Sequence, residues 1–254
     1  MREMRIIEHI EIAEGAGQLW LLKVDYTDGG PDTYSLPVQV ATGTAADTLV
    51  RNFPHAVIAR LGSPHAVLYD AVWDSDFRGN LFRLISSGAQ CSGKTGRMVG
   101  VTGSQLIEQP NEKPPASQVL NAEQSNSSML FENRFFLKLY RKLEDGVNPD
   151  VEVTRFLSER RHFQHVPAFA GSIEYRRHRA ELEGVGAQEH QVVQHPVQLV
   201  EVVVDVPMLE VHEHAVGEGG HLDQRAAERG GDDAGQGGDV ARHVRGVAGD
   251  VVDA

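Results

Sequence analysis

Residues 122–160 read AEQSNSSMLFENRFFLKLYRKLEDGVNPDVEVTRFLSER, and this stretch decides the fold. MLF and FFLKLY are short apolar runs separated by a few polar residues. They predict a β-hairpin turning at Glu132-Asn133. Lys138 stands in the middle of the second strand. NPDVEVTRFLSERR, from Asn148, has the signature of a helix start. Asn148 is the cap and Pro149 the first helical residue, while Asp150 and Glu152 lie in a first turn that favours negative charge. VPAFAGSIEYRR then supplies one more strand, over about 171–177. Ahead of the hairpin, Gln124-Ser125-Asn126-Ser127-Ser128 forms a polar loop.

Loop, strand, turn, strand with a central lysine, charged loop, helix with an early glutamate, strand: this is the order of a kinase N-lobe. Phosphoryl transfer needs each part. Loop donors cover the phosphates, a strand lysine contacts them, and a helix carboxylate holds the lysine. Here the loop is Gln124, Ser125, Asn126, Ser127 and Ser128, and the lysine is Lys138. Glu152 is the leading carboxylate, with Asp150 and Glu159 as competitors. Each part also has a plainer reading. A strand lysine beside apolar residues commonly snorkels from an edge, and an early helix glutamate commonly just faces the dipole.

Outward from this core, residues 5–12, 19–26 (LWLLKVDY) and 33–43 (TYSLPVQVATG) read as strands, and Thr44–Asn52 as a short helix. VIARLG and AVLYDAVW follow. Asp74 caps a helix in which Phe77, Leu81, Leu84 and Ile85 recur at helical spacing. Residues 107–119 (IEQPNEKPPASQV) are Pro-rich and polar, the pattern of a linker or surface loop.

With 41% hydrophobic and 24% charged residues the chain has globular composition, and its net charge of -12 argues against a nucleic-acid partner. A single cysteine, Cys91, excludes an internal disulfide framework and fits a reducing cytoplasm. No apolar run reaches the roughly 18 residues of a membrane span, and the N-terminus has no signal-peptide pattern. The composition breaks sharply near residue 178. Every Lys, Ser, Thr, Asn, Ile, Phe, Trp and Tyr lies at or before Arg177, and apart from Met208 every residue type beyond it can be encoded by a codon starting with G or C. That regularity predicts a misread frame or strand in a GC-rich gene. The alternative is a genuine acidic, Gly/Val-rich disordered tail.

The words of 122–160, with FQHVPAFAGSIEYRR after them, closely resemble the maltokinase family, especially forms fused to or encoded with trehalose synthase. WLLKVDYTDGGPDTYSLPVQVATG, VIARLG and VLYDAVWDSDFRGNLFRLI resemble that family's N-terminal cap. The resemblance covers about residues 5–177. It implies an α+β fold with an N-terminal cap subdomain (1–105), a linker (106–121), a partial protein-kinase-like N-lobe (122–177), and a C-terminal tail (178–254) that is disordered or out of frame. It implies transfer of the ATP γ-phosphate to maltose, giving maltose 1-phosphate for α-glucan synthesis. The implied cofactors are ATP and Mg2+, and the implied partners are maltose and trehalose synthase. Gln124 to Ser128 match the phosphate-loop words and Lys138 the strand lysine.

Departures from the family are equally specific. Its opening Trp-Phe-Gly-Gly-Lys stretch is absent, as though the chain starts late, and so is the C-lobe with its catalytic loop and metal-binding aspartate. His221-Leu222-Asp223 is similar to such a loop only superficially, since Glu228 stands where an asparagine belongs. The expectation is therefore a chain that binds nucleotide weakly and does not turn over. Two other readings stand beside it. Gly88–Thr95 spells G-x-x-x-x-G-K-T, a P-loop expression, although a helix pattern precedes it. Residues 1–105 can also serve as a docking module for a partner such as trehalose synthase. The cluster His212, Glu213, His214 and His221 lacks a packed scaffold for zinc, and Cys91 lacks a supporting histidine.

Overall fold

The computed structural model describes residues 1–62, 65–106, 115–120, 125–146, 148–163, 165–178 and 196–204. These residues form two antiparallel sheets and three α-helices, consistent with the α+β expectation. The first sheet takes β1 (Glu3–Glu11), β2 (Gln18–Asp25), β3 (Asp32–Thr42), β4 (Val57–Arg60) and β5 (Ala66–Asp70) in the order β1-β2-β3-β5-β4. α1 (Gly43–Asn52) bridges β3 to β4. Side chains on β2 alternate by parity. Leu19 and Leu21 face the main core, while Trp20, Leu22 and Val24 belong to a second cluster with Met4, Val38, Ala59 and Leu68.

α2 (Ser75–Ser87) begins at Asp74, whose carboxylate accepts from Phe77 N at 2.8 Å, as the cap pattern predicts. Phe77, Leu81, Leu84 and Ile85 are all buried on its core face. Phe82 stacks on Phe131 and Phe135 at centroid distances of 5.0 and 5.2 Å. The helix lies so close to the second sheet that a Cβ on Gly100 would stand 1.9 Å from the Leu84 carbonyl oxygen.

That second sheet contains β6 (Gln90–Ser92), β7 (Gly96–Thr102), β8 (Ser117–Val119), β9 (Asn126–Phe131), β10 (Phe135–Tyr140), β12 (Ala168–Arg177) and β13 (Val197–Val204), in the order β6-β7-β12-β13-β10-β9-β8. Between β10 and β12 the chain forms β11 (Lys142–Leu143), which pairs with β3 of the first sheet, and α3 (Pro149–Arg155), which runs on as a π-helical turn to Arg160. The expected hairpin turn is present. Glu132 and Asn133 have φ of 47° and 53°, the two positive values a tight I′ turn requires. The Asn148 cap is present too, accepting from Asp150 N at 2.9 Å.

Three elements differ from expectation. Ser117–Val119, read as part of a linker, is a strand paired with β9. Asn126, Ser127 and Ser128, read as loop, are the first half of β9 and pair with Tyr140, Leu139 and Lys138. β13 lies beyond residue 178, where composition predicts no element. It sits between β10 and β12, and of its eight residues only Val203 is not fully buried. VQLVEVVV needs no aromatic or Ile to do this, because a strand covered on both faces reads as a continuous β-branched apolar run.

Two polar knots join the sheets. In one, Ser35 Oγ donates to the Tyr140 carbonyl at 2.6 Å, and the Arg141 guanidinium reaches Ser127 Oγ at 2.9 and 2.8 Å and Asp70 at 2.6 Å. In the other, buried Glu8 of β1 accepts from Lys94 N, Thr95 N, Thr95 Oγ1 and Tyr175 OH at 2.6–3.1 Å. Burial raises the Glu8 pKa. The Thr95 hydroxyl and the Thr95, Lys94 and His9 N–H groups outweigh that and hold the carboxyl below its ordinary value. A depressed carboxyl contributes stability above its unfolded pKa and loses it as pH falls through the lower folded value. Acid titration of the unfolding midpoint is therefore expected to show a loss below about pH 4.5, the ordinary carboxylate value. Glu8→Gln, which cannot accept all four donors, is expected to lower the neutral-pH midpoint and flatten that dependence.

Candidate functional site

The predicted lysine and helix meet. Lys138 Nζ lies 3.5 Å from Asp150 Oδ2, and it stands 5.2 Å from the Tyr140 ring centroid. Of the three helix carboxylates in contention, Asp150 makes the contact. Glu152 is exposed, and Glu159 pairs with Arg155 at 3.0 Å along the helix. The physical reason is the cap. Asn148 starts the helix so that its first acidic residue lies over β10, while Glu152, two residues on, projects elsewhere around the turn. Asp150 is 67% exposed and Lys138 26%, so the pair is partly solvated.

Around this pair is an open cavity of about 420 Å3. Phe136, Pro149, Val153, Pro167 and Val203 give it apolar walls, and Lys138, Asp150, Thr154 and Glu201 supply the polar groups. Glu201 was not anticipated from sequence. It is only 7% exposed, stands on β13, and is the cross-strand partner of Lys138. Its Oε2 accepts from Tyr140 OH at 3.0 Å. Its buried Oε1 has no hydrogen-bond partner among the described residues, although the Thr154 hydroxyl is close enough to favour the charged form. Burial raises the Glu201 pKa against the opposing pull of Tyr140, Thr154 and Lys138. Burial, reinforced by the Glu201 charge and hydrogen bond, likewise pushes the Tyr140 hydroxyl far above its ordinary value. The sequence signal was a single charge inside an apolar β-branched run.

The phosphate-loop residues are placed unevenly. Gln124 lies outside the described residues. Ser125 is exposed; its carbonyl accepts from Arg141 N and its hydroxyl from Asn126 Nδ2. The Ser127 hydroxyl is buried and held by Arg141, so it acts inside the fold. Ser128 stands directly across from Lys138 in the ladder. Arg141 is the second residue that sequence reasoning missed.

Gly88–Thr95 does not form a P-loop. Its residues make β6 and the turn into β7, with no helix after the glycine-lysine-threonine words. Glu8 takes the place of an anion, accepting the Lys94 and Thr95 N–H groups. Gly93 is required for that approach, because a Cβ there would lie 2.7 Å from Glu8 Cδ. Cys91 is half-buried, donates to the Ile12 carbonyl, and has its thiol pKa pushed up by burial, which disfavours a nucleophile. His212, Glu213, His214, His221 and Asp223 lie outside the described residues. Among the described residues no group of three or more His, Cys, Asp or Glu could hold a metal, and no helix is long and apolar enough to cross a membrane.

No protein-family model matches the chain. Among solved structures it is similar to a glucosamine kinase in complex with glucosamine, ADP and inorganic phosphate, at TM-score 0.46 and 12% identity over 81% of this chain and 36% of that one. Two further crystal forms of glucosamine kinase align at TM-scores of 0.45 and 0.43, each at 12% identity, over 80% and 81% of this chain and 35% of theirs. The chain spans about a third of the length of these structures.

Proposed function

We propose that this chain carries the nucleotide-clamping front of an ATP-dependent sugar kinase of maltokinase type, acting in the cytoplasm on maltose to give maltose 1-phosphate and ADP. The Lys138–Asp150 pair carries the reading: a strand lysine on a cavity wall, held by a carboxylate from the following helix. Phosphoryl transfer depends on positioning and charge neutralisation rather than covalent chemistry. Lys138 suits one part of that task. Its ammonium is partly solvated, so it can exchange the exposed Asp150 for a phosphate oxygen without stranding a buried charge. Ser128, opposite it, and Asn126, at the start of β9, complete a polar strip beside the lysine. Mg2+ is usually held by one or two carboxylates together with the substrate's own phosphates, and the described residues bring no three His, Cys, Asp or Glu together for a metal. These residues bind and orient the nucleotide.

A docking role for residues 1–105, with trehalose synthase as partner, is the second reading, and one surface feature speaks for it. Phe53 is exposed and packs against Trp73 at 5.4 Å, which itself meets His55 at 4.5 Å, leaving an aromatic group at the surface.

Titration of the purified chain with ATP, paired with an ADP-release assay in Mg-ATP and maltose, tests the main reading. ATP binding is expected to weaken about tenfold or more in Lys138→Ala, a loss of about 1.4 kcal/mol, with no maltose-dependent turnover. ATP binding unchanged by Lys138→Ala would overturn the clamp, and turnover would show that a base and metal ligands lie outside the described residues.

A further inference from the structure

A buried carboxylate is costly unless it is paired or protonated. Glu201 occupies the middle of a central strand at 7% exposure, and one carboxylate oxygen has no hydrogen-bond partner among the described residues. The groups around it come from β10, β12 and α3. β10 brings Tyr140, whose hydroxyl donates to Oε2, and Lys138. β12 brings Ser172, its buried cross-strand partner on the other side. α3 brings Thr154 and Asp150, the first favouring the charged form and the second opposing it. The one cation in this set is Lys138.

Register makes the relation direct. Residues opposite each other in an antiparallel pair point to the same face with Cβ atoms about 4.5–5.5 Å apart. Lys138 and Glu201 are such a pair, and both line the same cavity. The ammonium rests against Asp150 and over the Tyr140 ring, and that ring's hydroxyl is bonded to Glu201. A lysine has enough rotatable bonds to swing between the two carboxylates.

We propose that Glu201 is a positioning residue for Lys138, a second and buried partner that keeps the ammonium over the sheet when it leaves Asp150. Its bearing on nucleotide rests on the reading of Lys138 as the phosphate-contacting lysine; the pairing itself does not. With Asp150 alone, the lysine would be tethered at the solvent edge. With Glu201 behind it, the lysine has an inner resting position on the cavity floor. The raised Glu201 pKa adds a sign. A carboxyl whose folded pKa is raised contributes stability that is complete below its unfolded pKa and is lost as pH rises through the folded value. Lys138 offsets part of that loss only while Glu201 is charged.

A double-mutant cycle read by denaturant unfolding tests this. The variants are Lys138→Met, Glu201→Gln and the pair, with Lys138→Met and Asp150→Asn as the comparison cycle. At neutral pH the first pair is expected to shift the midpoint by less than the sum of its single shifts, and by a larger discrepancy than the comparison cycle. At pH 4.5, the ordinary carboxylate value, the raised pKa makes the protonated form of Glu201 the major one, and the discrepancy is expected to shrink. Additive shifts at neutral pH, a larger discrepancy with Asp150, or one undiminished at pH 4.5 would each overturn the proposal. The 15N resonance of the Lys138 ammonium in the unmutated chain gives a reading free of folding defects. It is expected to move as Glu201 takes up its proton, and a resonance indifferent to that step contradicts the pairing. Neither measurement needs nucleotide. A chain that fails to bind ATP defeats the proposed function alone, and an additive cycle in a chain that binds ATP defeats this inference alone.

Discussion

β10 and β12 are not neighbours in the sheet; β13 stands between them and bonds to both. Everything else in the second sheet hangs on that slot. Without a strand there, two ladders of backbone N–H and C=O groups would face each other across a gap. An unpaired buried backbone group costs about as much as a lost hydrogen bond. The slot also explains the burial of Leu137, Leu139, Ile173, Val200 and Val202, which pack as one core around it. It explains why a segment of such narrow composition can be structured. The position demands a mostly β-branched, apolar, two-sided strand, and five of the eight residues of VQLVEVVV are valine.

The slot sets the chemistry as well. β13 supplies Glu201 to the floor of the Lys138 cavity, while α3, in the connection from β10 to β12, supplies Asp150 to its rim. Lys138 is thereby placed between a solvated carboxylate and a buried one. Arg141, three residues on, turns the other way and ties Ser127 to Asp70 of the first sheet. One short strand, β10, thus anchors the sheets to each other and presents a cation to a cavity.

Much of this was legible from local signals. The Asn148-Pro149 start, the Asp74 cap and the Glu132-Asn133 turn are short-range devices, and each is found where the residues put it. Lys138 meeting a carboxylate of the following helix was legible too. The choice of Asp150 over Glu152 was not, because it depends on how far the helix rotates over the strand. Long-range pairings were hidden for the same reason. Nothing in Ser125–Ser128 announces that Arg141 will claim the Ser127 hydroxyl, and nothing near Gly88–Thr95 announces that Glu8, some 80 residues earlier, will fill the anion position. β13 was hidden by composition. Absence of aromatics and Ile argues against an independent core, but a single strand borrows the core of its neighbours.

Hydrogen exchange of the backbone amides of β13 tests the central claim most directly. Amides buried in a paired central strand open only with large-scale unfolding. The account predicts that Val200 and Val202 exchange as slowly as Leu137 of β10 and Ile173 of β12. Exchange of residues 197–204 at the rate of a free peptide, with β10 and β12 still protected, would contradict it.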